Sequence, residues 1–108
     1  MYATVRRYRT QKSVDAIDAM MHIADASFAD QLADEPGFMD YQLIDCGDGT
    51  IMSISIFETE EQCDRSGELA AEFVRSDLSD YDIERTDVHG GEVMVSRAAE
   101  RVLQPTHH

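Results

Sequence analysis

Four side chains in this sequence combine a useful functional group with a position beside expected apolar surface: Arg7, Tyr41, Ser66 and His89. Arg7 shares the parity of Ala3 and Val5 in an alternating segment, so it is expected on the core side of a strand. A fixed cation there would stabilise an enolate or phenolate, although an ion pair with one of the many acids is the commoner use. Tyr41 carries a phenol able to hydrogen-bond a ligand carbonyl or hydroxyl, or simply to keep its oxygen wet at the rim of a core. Ser66 is expected on the inner face of a helix, donating either to a ligand or back to its own helix carbonyl. His89 precedes Gly90-Gly91 in an expected loop and is a base near neutral pH if a substrate reaches it, or a solvated surface group otherwise.

Other chemistries find little support. Asp87 and His89 are close in sequence, but no second histidine or cysteine joins them at metal-ligand spacing. Gly90-Gly91 lacks the glycine spacing and following lysine of a phosphate loop. His22 lies about 130° from the centre of its helix's apolar stripe at 3.6 residues per turn and is expected in water. Cys46 and Cys63 are read as free thiols, and the methionines as adaptable core filler.

The charge is −13, from 22 acids against 9 bases, with Lys12 the only lysine. Phosphate binding needs a basic stripe, so nucleic acid is not an expected partner. No apolar run approaches the roughly 18 residues of a membrane span, and the first residues lack the order of a secretion signal, so a cytoplasmic protein is expected. The 108 residues, 43% hydrophobic, suit one domain over residues 1–98 and a tail over 99–108.

The elements that must position these groups are legible in order. Tyr2 to Arg9 alternates as a strand. Ser13 caps a helix whose apolar residues Ile17, Met21, Ala24, Phe28 and Leu32 recur at three- and four-residue steps until Pro36-Gly37 ends it. Two strand-like runs then flank Asp48-Gly49, a hairpin turn. With those two residues as the loop, Asp45 faces Met52, Leu43 faces Ile54, Tyr41 faces Ile56 and Met39 faces Glu58. One face then carries Leu43, Tyr41, Met52, Ile54 and Ile56, and the other Ile44, Gln42, Asp40, Ser53, Ser55 and Phe57. Thr59-Glu60-Glu61-Gln62 is a capping box opening a second helix with Cys63, Ser66, Gly67, Ala70, Phe73 and Val74 inward. Leu78 to Gly91 reads as an irregular connection with at most a short strand around Ile83, and Glu92 to Arg97 as the last strand.

This is the β-α-β-β-α-β order of an α+β, ferredoxin-like fold, with helices on one side of an antiparallel sheet. Pro36-Gly37-Phe38, Gly47-Asp48-Gly49-Thr50, Ser53-Ile54-Ser55-Ile56-Phe57-Glu58 and Leu69-Ala70-Ala71-Glu72-Phe73-Val74 together resemble the antibiotic biosynthesis monooxygenase domain family, over roughly residues 2 to 98. The resemblance implies a dimeric α+β barrel in which the chain pairs with itself through the bare sheet face. It also implies a cofactor-independent oxygenase acting on a small aromatic or quinol-type ligand. Arg7, Tyr41 and His89 would be the catalytic groups, with Ser66, Phe73 and Met21 binding the substrate and no cofactor or metal required. The sequence departs from relatives in having no tryptophan, no histidine in the second helix, and Gly67 where relatives often carry asparagine. Haem degradation is thereby disfavoured. A non-catalytic or stress-related binding dimer stands as the alternative, with proton-transfer chemistry a third.

Overall fold

The computed structural model describes residues 1–99. The chain runs through β1 (Tyr2–Arg9), α1 (Val14–Ile23), a π-helical segment (Ala24–Ala29), α2 (Asp30–Ala33), β2 (Phe38–Gly47), β3 (Thr50–Phe57), α3 (Glu60–Ser76), a 3-10 turn (Ser79–Tyr81) and β4 (Glu84–Glu92). The strands form one antiparallel sheet in the order β2-β3-β1-β4, with the helices on one side. The expected tail, apart from Ala99, lies outside the described residues.

Local chemistry sets the helix boundaries. The Ser13 hydroxyl accepts from the backbone of Ala16 at 3.2 Å, opening α1. At α3 both capping-box bonds form: the Gln62 backbone donates to the Thr59 hydroxyl at 3.2 Å, and the Thr59 backbone donates to the Gln62 side chain at 3.1 Å. Ile17, Met20, Ala24, Phe28 and Leu32 are buried against the sheet from the first helical run, and Cys63, Ser66, Ala70 and Phe73 from α3. Met20 therefore takes the place expected of Met21, which is only partly buried on the flank. The π-helical turn keeps Ala24 and Phe28 on one face at a four-residue step, because a wider turn advances less than 100° per residue.

Three expectations about the sheet are corrected. In β1 the residues facing the helices are Thr4, Arg6 and Tyr8, all buried, while Ala3, Val5 and Arg7 point to the other face. In the hairpin, Asp48 and Gly49 do form the loop, both with positive φ, and a side chain at Gly49 would collide with the Thr10 carbonyl. Gly47 pairs with Thr50, but a bulge at Cys46 then shifts the register by one. Leu43 lies opposite Ser53 and Tyr41 opposite Ser55, not opposite Ile54 and Ile56. The side chains from Asp40 to Asp45 thus change face relative to β3, until a second irregularity between Phe38 and Asp40 sets Phe38 opposite Phe57. The last strand is Glu84–Glu92, not residues 92–97: it is an edge strand, paired with β1 through its backbone and exposed along most of its length. An edge held by main-chain bonds needs no apolar alternation, so β4 lacks the pattern that the valine-rich segment after it displays.

The two sheet faces are chemically inverted. The helix-facing side buries Thr4, Arg6, Ser53 and Ser55, whereas Ala3, Val5, Met52, Ile54 and Ile56 gather on the side without helices. Phe57, Leu32 and Ile51 anchor the apolar part of the helix–sheet core at 0 to 2% exposure.

Replacing Leu32 by Ala should cost about 2–5 kcal/mol of stability, since it empties a fully enclosed site. Thr59→Ala should cost about 1 kcal/mol through loss of the cap. Urea unfolding of both variants checks the packing: a loss under about 1 kcal/mol at Leu32 would contradict it.

Candidate functional site

Between the sheet and the helices lies a cavity walled by β1, β2, β3, the first helical run and α3. It encloses about 490 Å³ of space between atoms including its open mouth, of which about 40 Å³ lies far enough from the walls to hold the centre of a water molecule. The site is therefore a narrow slot. Met20, Ala24, Leu43, Ile51, Ala70, Val74, Leu78 and Ile83 make it mostly apolar. An aromatic wall stands beside them: Phe28 stacks on Phe73 at 5.0 Å between ring centroids and meets Tyr41 edge-on at 5.6 Å.

The polar groups of the slot are Arg6, Tyr8, Tyr41 and Ser53, and none of its lining residues is a carboxylate, histidine or cysteine. Arg6 is 3% exposed. One terminal nitrogen donates to the Ser55 hydroxyl at 3.3 Å and the other to the Ser66 hydroxyl at 3.5 Å, both long bonds to neutral oxygens. Among the described residues, no acceptor meets its Nε. Burial lowers the readiness of this guanidinium to stay charged, and Arg85 acts in the same sense, while Tyr8, Cys63 and Tyr41 oppose it. Arginine nonetheless remains a cation in proteins.

The seat of the guanidinium is shaped by α3. The Ser66 hydroxyl donates to the Cys63 carbonyl at 2.6 Å, which leaves its lone pairs for Arg6. A side-chain carbon at Gly67 would come within 2.8 Å of Arg6. Both tyrosines are held neutral: burial pushes the Tyr8 and Tyr41 phenols up, most strongly at Tyr41, against the opposing pull of Arg6.

The structure brings together only part of the expected site. Tyr41 and Phe73 line the slot, and Ser66 lies directly behind it as a support for Arg6. Met21 is not among the lining residues. Arg7 and His89 are exposed and lie on the opposite sheet face, where Arg7 pairs with Asp87 and His89 lies across from Val5. The inward cation is Arg6. An alternating strand offers two parities, and choosing the aliphatic one as the inner one displaced the site by a residue. The signal that identifies the inner parity is Thr4, Arg6, Tyr8 read together with Ser53 and Ser55: a polar stripe on two neighbouring central strands.

No helix among the described residues is long and apolar enough to cross a membrane, and no group of three or more histidine, cysteine or acidic side chains among them stands ready for a metal ion.

No family model matches the chain, and no curated protein matches it. Solved structures do. A dimeric ferredoxin-like protein from an uncultured marine organism superposes with a TM-score of 0.69 at 11% identity, covering 91% of this chain and 98% of the other. A candidate antibiotic biosynthesis monooxygenase from Chloroflexus aurantiacus gives 0.65 at 12% identity, over 90% and 96%. SnoaB, a cofactor-independent oxygenase from Streptomyces nogalater, gives 0.62 at 15% identity, over 88% and 94%. At these identities the likeness establishes the α+β ferredoxin-like fold and leaves activity to be argued from the site.

A phenol whose folded value is raised stays protonated after the unfolded chain has begun to ionise near the ordinary value of 10.0. The stability that neutral Tyr41 contributes is complete below that pH and lost as pH rises through and beyond it. Urea unfolding at pH 8, 10 and 11 should show a fall above pH 10 that is reduced in Tyr41→Phe. An equal fall in both proteins would place the phenol in water.

Proposed function

We propose that the chain works as a homodimer, each subunit binding a small aromatic molecule in its helix–sheet slot and oxidising it as a cofactor-independent monooxygenase on a quinol-type substrate. The observation that carries this reading is Arg6: a buried cation with no carboxylate partner among the described residues, at an apolar slot walled by Phe28, Tyr41 and Phe73. In such chemistry the substrate anion supplies the electrons for dioxygen, and the protein's task is to hold the ring and stabilise the charge. Arg6 serves that task directly, Tyr41 donates a hydrogen bond to the same oxygen, Phe73 stacks on the ring, and Ser66 steadies the guanidinium. The folds shared with SnoaB and with the Chloroflexus protein support the reading.

Self-association rests on the other sheet face. Ala3, Val5, Met52, Ile54 and Ile56 form an aliphatic centre to which the described residues add no second layer, and a sheet of this kind requires one. The dimeric ferredoxin-like relative supports an identical chain as the cover.

A second reading, a binding protein without turnover, is favoured by one feature: no side chain lining the slot accepts a proton at neutral pH, so deprotonation of a neutral substrate has no agent there.

Oxygen uptake with a panel of quinols and hydroxyarenes separates the two. The oxygenase reading expects consumption that falls about 100-fold in Arg6→Met, the usual scale for removing a group that stabilises developing charge. Uptake unchanged in both Arg6→Met and Tyr41→Phe removes these residues from the reaction, and ligand-induced thermal stabilisation without uptake leaves the binding protein.

Sedimentation should give twice the chain mass for the wild type and the single chain mass for Ile54→Asp, which puts a charge at the centre of the aliphatic face. A folded wild-type monomer at high concentration would overturn the pairing.

A further inference from the structure

We infer that the slot takes a ligand that arrives already ionised: a single-ring arene bearing one negatively charged oxygen, a carboxylate or an acidic ring hydroxyl, held by Arg6. This rests on the reading of the slot as a small-molecule site and narrows the substrate class.

The charge argument comes first. This chain carries 22 acidic residues, and Arg7, Arg65 and Arg75 each find a carboxylate partner at the surface. Among the described arginines Arg6 alone is buried, and it meets only hydroxyls there. Enclosing an uncompensated cation is costly, and an anion on the guanidinium fork offsets that cost with two short, charge-assisted bonds. Each terminal nitrogen uses one of its two hydrogens on a serine, which leaves a second for an anion, and the enclosed Nε has no acceptor to compensate the charge.

The seat is built to hold that fork still. Ser55 and Ser66 fix its two terminal nitrogens, Ser66 is itself turned by its bond to Cys63, and Gly67 leaves the room that any side chain would fill. Tyr8 and Tyr41 add phenolic donors and no base. A ring of donors with nothing to receive a proton discriminates between an ionised ligand and its neutral form, and it cannot convert one into the other. The proton must be lost in solution, before entry.

Size sets the remaining limit. About 40 Å³ of interior clear of the walls is well below the roughly 150 Å³ that encloses a benzene molecule in an apolar cavity. The oxyanion therefore leads into the slot and a single ring follows toward its open side, against Phe28, Phe73 and Tyr41. A fused polycycle would have to leave its further rings outside the mouth.

Calorimetric titration of the full chain at pH 7 with benzoate, benzamide, 4-nitrophenol and phenol tests this. The anionic member of each pair, benzoate and 4-nitrophenolate, should bind about 10- to 100-fold more tightly than its neutral counterpart, the range expected for hydrogen bonds to a charged group. The two pairs distinguish a carboxylate from a ring oxygen as the preferred group. Bound 4-nitrophenol should also turn yellow at lower pH than the free compound. Arg6→Met should abolish the preference. Gly67→Ala, which crowds the guanidinium while favouring the helix, should weaken anion binding several-fold without lowering the melting temperature, and it decides the matter if Arg6→Met does not fold. Equal binding of anionic and neutral arenes, or a preference that survives both substitutions, overturns the inference and leaves the small-molecule site standing. No binding by any of the four overturns both.

Discussion

A guanidinium enclosed between a sheet and a helix, with no carboxylate beside it among the described residues, is the constraint around which this small domain is arranged. Such a charge loses most of its hydration, and the loss runs to several kcal/mol unless hydrogen bonds or an anion replace it. The fold replaces part of it through two serine hydroxyls from different elements, Ser55 of β3 and Ser66 of α3. These bonds tie two elements distant from β1 in sequence to one of its side chains. The remainder is left for whatever enters the slot.

That arrangement accounts for the inversion of the two sheet faces. A domain of this topology ordinarily buries its aliphatic side under its helices, but here the central strands turn Thr4, Arg6, Ser53 and Ser55 inward and Ala3, Val5, Ile54 and Ile56 outward. The hydrophobic effect has not been disregarded. The inner layer still closes on Leu32, Phe57, Ile51, Phe28 and Phe73, and the outward aliphatic stripe is suited to a second molecule. On the proposed function one face takes a ligand and the other a second chain, and the two faces share β1 and β3 residue by residue. The acidic surface around them makes a free inner cation more distinctive, since carboxylates are plentiful elsewhere on the chain.

How much of this was legible in the sequence follows from which signals are local. Helix starts are local: Ser13 and the Thr59–Gln62 box are read from side chains that reach their own backbone, and both form as expected. The element order and fold class follow from periodicity, and the Asp48-Gly49 turn from its need for positive φ. Face assignment is not local. Alternation in β1 states that two sets of residues point apart, not which set meets the helices, and the set that does is Thr4, Arg6 and Tyr8. The extra residue at Cys46 then moved Tyr41 and Leu43 from partners Ile56 and Ile54 to Ser55 and Ser53, which no two-residue turn rule foresees. Tyr41 and Phe73 reached the slot by either register or helical spacing, whereas Arg7 and His89 depended on face and strand boundary and fell on the far side. Edge strand β4 is held by main-chain bonds to β1, so its side chains carried little information about its existence.

The most direct test of the central claim is nitrogen-15 NMR of the Arg6 Nε–H. A buried guanidinium enclosed at Nε should give a resonance that exchanges slowly with water and shifts when an aromatic carboxylate is added, as the charge gains an anionic partner. A resonance that exchanges as fast as those of Arg9 and Arg97, and does not respond to the carboxylate, would mean that the charge is solvated and that the slot is not organised around it.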